Sequence, residues 1–178
     1  MIKRANSALV VVALLALLSG CASMSVQQCQ QANWARIGLT DGQSGVRVTR
    51  VDDYVKDCAE AGVQVAVADW TEAYELGLLS YCLPENGFLQ GRQGHDYHNV
   101  CHNDQFVERY NQGRALYLKE KRIAEIDTQL QQLDNQIAGL GVSDDDKENR
   151  KQLWAQRRQL LEERDRLLHS GVTFSISF

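Results

Sequence analysis

Four cysteines and three closely spaced histidines carry most of the reactive chemistry in this 178-residue sequence. Cys29, Cys58, Cys82 and Cys101 form an even set, and in an oxidising compartment an even set reads as two disulfides. Four thiols permit three connectivities; pairing Cys29 with Cys58 and Cys82 with Cys101 closes the shortest loops and is the expected one. In the chain-entropy model each such loop contributes roughly 3–4 kcal/mol. Structural zinc is the alternative, but the spacings are long and no C-x-x-C pair occurs. His95, His98 and His102 lie beside Asp96, Cys101 and Asp104. On a helix these imidazoles share a face that suits a transition metal. Gly91, Gly94 and Asn99 predict a loop instead, where the histidines are solvated. A ligand- or metal-binding module centred on residues 87–102 is therefore the second functional reading.

Catalytic patterns are scarce. Neither a G-x-S-x-G elbow nor an H-E-x-x-H helix occurs. Ser44 in D-G-Q-S-G reads as a turn, and Asp52 and Asp53 as first-turn helix charges. No catalytic residue is assigned, and an enzyme is the third functional reading. A net charge of -4 argues against a nucleic-acid partner, which calls for a basic patch.

The fifth cysteine, Cys21, has a different setting. Lys3 and Arg4 precede an apolar run from Ala8 to Leu18, too short to span a bilayer, which takes about 20 residues. A basic start, a short apolar core and small residues make a secretory signal. Leu18-Ser19-Gly20-Cys21 resembles the lipobox of bacterial lipoproteins. That resemblance implies removal of residues 1–20, a covalent diacylglyceryl and acyl anchor on Cys21, and residues 21–28 as a tether. Ala22 and Ser23, with no aspartate after the cysteine, imply the outer membrane, periplasmic side. No other cofactor is expected. Without Lys3 and Arg4, 17 of the 19 basic residues face 23 acidic ones, so the acyl chains rather than charge must hold the protein to anionic lipid.

The elements that position these residues are mostly helical. Glu72-x-Tyr74-x-x-Gly77-x-x-x-Tyr81 recurs as Glu108-x-Tyr110-x-x-Gly113-x-x-x-Tyr117. At helical spacing each Tyr, Gly and Tyr share a face, and the glycine admits a close neighbour. A weaker third copy, Ala35, Gly38 and Gly42, carries small residues where the others carry rings; rings from two helices are expected to fill space left on the third. Asp69 with Glu72 predicts a capping box opening a helix over Trp70–Cys82. Asp52 or Asp53 opens a helix ending at Gly62, and 63–67 alternates like a short extended link. Leu83-Pro84-Glu85-Asn86-Gly87 reads as a closing turn, and Gly87, Gly91 and Gly94 as punctuation of a loop reaching Cys101.

The segment from Cys29 through WARIGLTDGQSG, YELGLLSYCLPENG, GRQGHDYHNVC and FVERYNQGR resembles a family of uncharacterised bacterial lipoproteins, a domain of unknown function. The likeness covers residues 29 to about 114, through the four cysteines, Gly77, Tyr81, Pro84, Gly87, Tyr97, Tyr110 and Gly113. Ala35 and His102 depart from the family pattern. The resemblance implies no catalytic or ligand residue; a helical tail usually follows.

Beyond it, Leu116, Ile123, Leu130 and Ile137 recur every seven residues, with Ile126, Leu133 and Leu140 interleaved and Lys119 the one exception. That is an a/d seam. Gly139 and Gly141 break it, Ser143 and three aspartates restart it, and Leu153/Trp154, Leu160/Leu161 and Leu167/Leu168 continue it. The short break predicts an antiparallel hairpin over about 104–170. The tail, 171–178, alternates Val172, Phe174, Ile176 and Phe178 like a strand. The expected fold is mainly α: a small disulfide-stabilised helical domain at 29–115 followed by a long coiled-coil-like hairpin. The expected role is structural or protein-interacting in the cell envelope, the partner being an envelope protein or a second copy meeting through the 116–168 helices.

Overall fold

A computed structural model of the chain describes residues 23–170. The described helices are α1 (Val26–Gln30), α2 (Trp34–Gln43), α3 (Arg50–Glu60), α4 (Val67–Tyr81), α5 (Pro84–Arg92), α6 (Asp104–Ala138) and α7 (Asp144–His169). They form two compact units. One runs up to Tyr81 and takes in His98–Val100; the other comprises Cys82–Tyr97 and the residues from Cys101 on. The mainly α expectation holds, as does the long hairpin at the C-terminal end. The segment 29–115 contributes to both units, and its expected overlap with the 104–170 arm runs along α6. The extended tail lies outside the described residues, as do Cys21 and the signal.

In the first unit α2 packs against α4. The Asn33 side chain caps α2 by accepting from the Arg36 N–H at 2.9 Å. α3 starts at Arg50 with Asp52 and Asp53 in its first turn, where the helix dipole favours acids. It ends at Ala61, after which Gly62 takes a positive φ of 68° that other residues adopt at a cost. α4 begins at Val67, ahead of the predicted Trp70, so Asp69 is a first-turn charge rather than a cap. The residues between Gly62 and Val67 form no strand. The Cys29–Cys58 disulfide fastens α1 to α3. Ser23 and Met24 are held as well: both backbone N–H groups and the Ser23 hydroxyl donate to the Asp57 carboxylate on α3. These donors hold the Asp57 carboxyl below its ordinary range, led by the Ser23 hydroxyl. The expected 21–28 tether is therefore pinned to the body from Ser23 onward.

In the second unit the reading of 83–101 needs correction. Pro84 opens α5 rather than closing a turn; its fixed φ and missing N–H suit the first helical position. Gly87 and Gly91 lie buried inside that helix. Their poor helix propensity, about 1 kcal/mol each, is overridden by packing against α6. The Cys82–Cys101 disulfide closes the loop between them. α6 then runs 35 residues, about 50 Å. Its first third packs on α5 through Phe106, Tyr110 and Gly113, and its remainder pairs with α7 through Ile126 and Leu133. The Ser143 side chain caps α7 by accepting from the Asp146 N–H at 3.1 Å, with Asp144, Asp145 and Asp146 in the first turn. Lys119, the exception in the seam, donates to the Ser170 carbonyl at 2.9 Å and so ties the open end of the hairpin.

Candidate interaction surfaces and the predicted site residues

The residues singled out by sequence converge on helix–helix contacts rather than on a reactive centre. In the first unit Gly38 lies against the Trp70 carbonyl, Gly42 against the Tyr74 carbonyl, and Gly45 under the Tyr81 ring. Gly77 faces back onto the Leu39 carbonyl. In the second unit Gly87 lies against the Phe106 carbonyl, Gly91 against Tyr110, Gly94 under the Tyr117 ring, and Gly113 against Phe88. Contacts advance in step along both helices, so α2 and α4 run parallel, and so do α5 and α6. Such pairs let backbones approach closely enough for Cα–H groups to meet carbonyl oxygens.

The two pairs are copies of one arrangement. Gly38, Gly42 and Gly45 map onto Gly87, Gly91 and Gly94 at a constant offset of 49 residues. Trp70, Tyr74, Gly77 and Tyr81 map onto Phe106, Tyr110, Gly113 and Tyr117 at an offset of 36. The hydrogen bonds follow: the Tyr74 hydroxyl donates to the Val46 carbonyl at 2.6 Å, and the Tyr110 hydroxyl to the His95 carbonyl at 2.7 Å. Burial pushes the Tyr74 hydroxyl up to about 12, in keeping with its role as a donor. The offsets differ because the first unit returns to the start of its pair through α3, and the second through the shorter loop braced by Cys82–Cys101.

Sequence reasoning found the aromatic half of this repeat. It marked Gly38 and Gly42 as small residues leaving space for rings but not Gly45, and it read Gly87, Gly91 and Gly94 as loop punctuation rather than as the matching G-x-x-x-G-x-x-G helix. Rings from two helices do not meet over a third; each aromatic helix has its own glycine helix.

One polar cluster lies inside the first unit. Asp41 accepts from the Tyr54 hydroxyl and from the Trp70 indole N–H, both at 3.0 Å. Trp70 is fully buried, so its N–H has no access to water. Replacing Asp41 with alanine strands that donor, and a loss of about 2–3 kcal/mol is expected in urea unfolding. Asparagine, which keeps an acceptor, should recover much of it; equal losses in the two variants would show that the hydrogen bonds are not the cause.

The histidines do not assemble. His95, His98 and His102 are all exposed, and His95 Nδ1 sits 2.7 Å from the Gln90 side-chain oxygen. Cys101 is committed to its disulfide. Among the described residues no three His, Cys, Asp or Glu side chains converge as a metal site. A groove of about 600 Å³ runs between α6 and α7, lined by glutamines such as Gln129 and Gln156, by Leu133 and Leu160, and by the charged Glu162, Glu163 and Arg166. Its amides can hydrogen-bond, and of its carboxylates Glu163 is paired with Arg122 at 2.7 Å.

Together these features define a disulfide-braced helical protein made of two glycine-packed parallel helix pairs, the second extended into a hairpin. Residues 33–115 match the family described as "Protein of unknown function (DUF2799)". The matched segment opens at the Asn33 cap of α2 and closes on α6 just after Gly113, so it takes in both glycine helices and all of α4 and ends two residues short of Tyr117. No curated protein and no solved structure matches the chain. Among the described residues no helix is long and apolar enough to cross a membrane.

Proposed function

We propose that this is a periplasm-facing lipoprotein of the bacterial outer membrane, acting as a structural or protein-interaction component of the envelope. The observation that carries it is the cysteine inventory. Four of five thiols are consumed in two disulfides, which suits an oxidising compartment, and the remaining one is Cys21 at the end of a signal-like segment.

The Asp57 contacts give the reading a physical consequence. Only Ala22 separates the proposed acylated Cys21 from Ser23, which is hydrogen-bonded to α3. An anchor there has almost no free tether, so the first unit rests at the bilayer surface. Metabolic labelling with an alkyne fatty acid tests the anchor. The wild-type chain is expected to take up label and sediment with outer membranes, and Cys21→Ser to lose both. Unlabelled wild-type chain, or label retained by the variant, would remove the proposal.

A further inference from the structure

The hairpin leaves one apolar column uncovered. Leu153, Leu160 and Leu167 turn into the seam with α6, while their neighbours Trp154, Leu161 and Leu168 stand 49%, 39% and 49% exposed. Recurring every seven residues, they make a straight line down α7 over about 21 Å. The line presents roughly 300 Å² of apolar surface, the size at which patches on a monomer mark contacts.

We propose that this column is where two copies of the chain meet, α7 against α7 in antiparallel orientation about a two-fold axis at Leu161. The proposal rests on the interaction reading above and names its partner. Three features select a second copy. The column is self-complementary: centring on Leu161 sets Trp154 of each copy opposite Leu168 of the other. Charges agree with the same register, since Arg158 on one flank then faces Asp165 of the second copy, twice by symmetry. Arg158 makes no ion pair among the described residues, and Asp165 meets only His169 at 3.2 Å. On the opposite flank the like-charged Arg157 and Arg164 are already neutralised by Asp134 and Asp127, each at 2.7 Å. Two such columns bury roughly 600 Å² of apolar area, the apolar share of an interface at the low end of the standard size.

Cysteine crosslinking of the full chain tests this. Leu161→Cys is expected to give a covalent dimer under mild oxidation, and Gln159→Cys, on the groove side of the same helix, is not. In sedimentation, Arg158→Glu and Asp165→Arg should each weaken association about tenfold, and the two together should restore it. Equal crosslinking at both positions, with a monomeric mass at every concentration, overturns the proposal. So does a Leu161→Cys thiol that is shielded in a monomer until residues 171–178 are deleted, which would assign the column to the tail, or its crosslinking only to a different protein. Loss of labelling at Cys21 would remove the anchor and leave this result untouched.

Discussion

Gly42→Ala is expected to destabilise the first unit by about 3 kcal/mol, although it adds a single methyl group. That methyl would fall on the Tyr74 carbonyl and within 3.0 Å of the Gly77 Cα and the Leu78 nitrogen. All are backbone atoms, so no rotamer change relieves the clash and the helices must separate. The midpoint of thermal unfolding should fall by roughly 6–12 °C. Gly91→Ala, the equivalent position in the second unit, should behave alike, because its methyl meets the Tyr110 carbonyl and the Arg114 nitrogen. Two controls separate close packing from backbone effects. A methyl on Gly139 has only ordinary contacts at 3.6 Å in a helical conformation, so Gly139→Ala should be neutral or slightly stabilising. Gly62 has open space but a φ of +68°, so Gly62→Ala should cost about 1 kcal/mol from strain alone. If circular dichroism gives Gly42→Ala and Gly139→Ala the same melting curve, close helix approach is not what those glycines provide.

Loss of the Cys29–Cys58 bond should have a comparable effect. It closes a loop of 29 residues, and the chain-entropy model assigns such a loop about 3–4 kcal/mol. Both cysteines are buried, at 2% and 0% exposure, so a serine pair would also place hydroxyls in an apolar setting. The Cys29→Ala/Cys58→Ala protein should unfold at clearly lower urea concentration. Exposure also predicts an order of reduction: Cys82 and Cys101 are partly accessible, so graded dithiothreitol should open that bond first. Mass spectrometry of alkylated thiols reads the sequence of events. Labelling of Cys29 and Cys58 ahead of Cys82 and Cys101 would contradict the assigned burial.

Much of this molecule was legible in its sequence, for reasons that differ by element. Heptad leucines and isoleucines define the α6–α7 hairpin because each side chain's direction follows from the helical repeat alone. Ser143 and the three aspartates mark the start of α7 because capping and dipole effects are local. The cysteine pairing with the shortest loops is also the one the fold uses. The tyrosine–glycine repeat was visible because both members of each motif sit on one helix.

What the sequence left open depended on contacts between segments far apart in the chain. Gly87 and Gly91 have the propensity of loop residues, and only the approach of α6 makes a helix of 84–92 the better conformation. For Gly38 and Gly42 the small-residue role was legible, but their partners, Trp70 and Tyr74, lie 32 residues further on and are assigned only by the fold. The exposed column of α7 was likewise undecided, since Leu160 and Leu161 both fit the heptad pattern. Sequence fixes that one of them faces α6; the tertiary structure, through the rotation that sets Leu160 in the seam, decides that Leu161 is left for another surface.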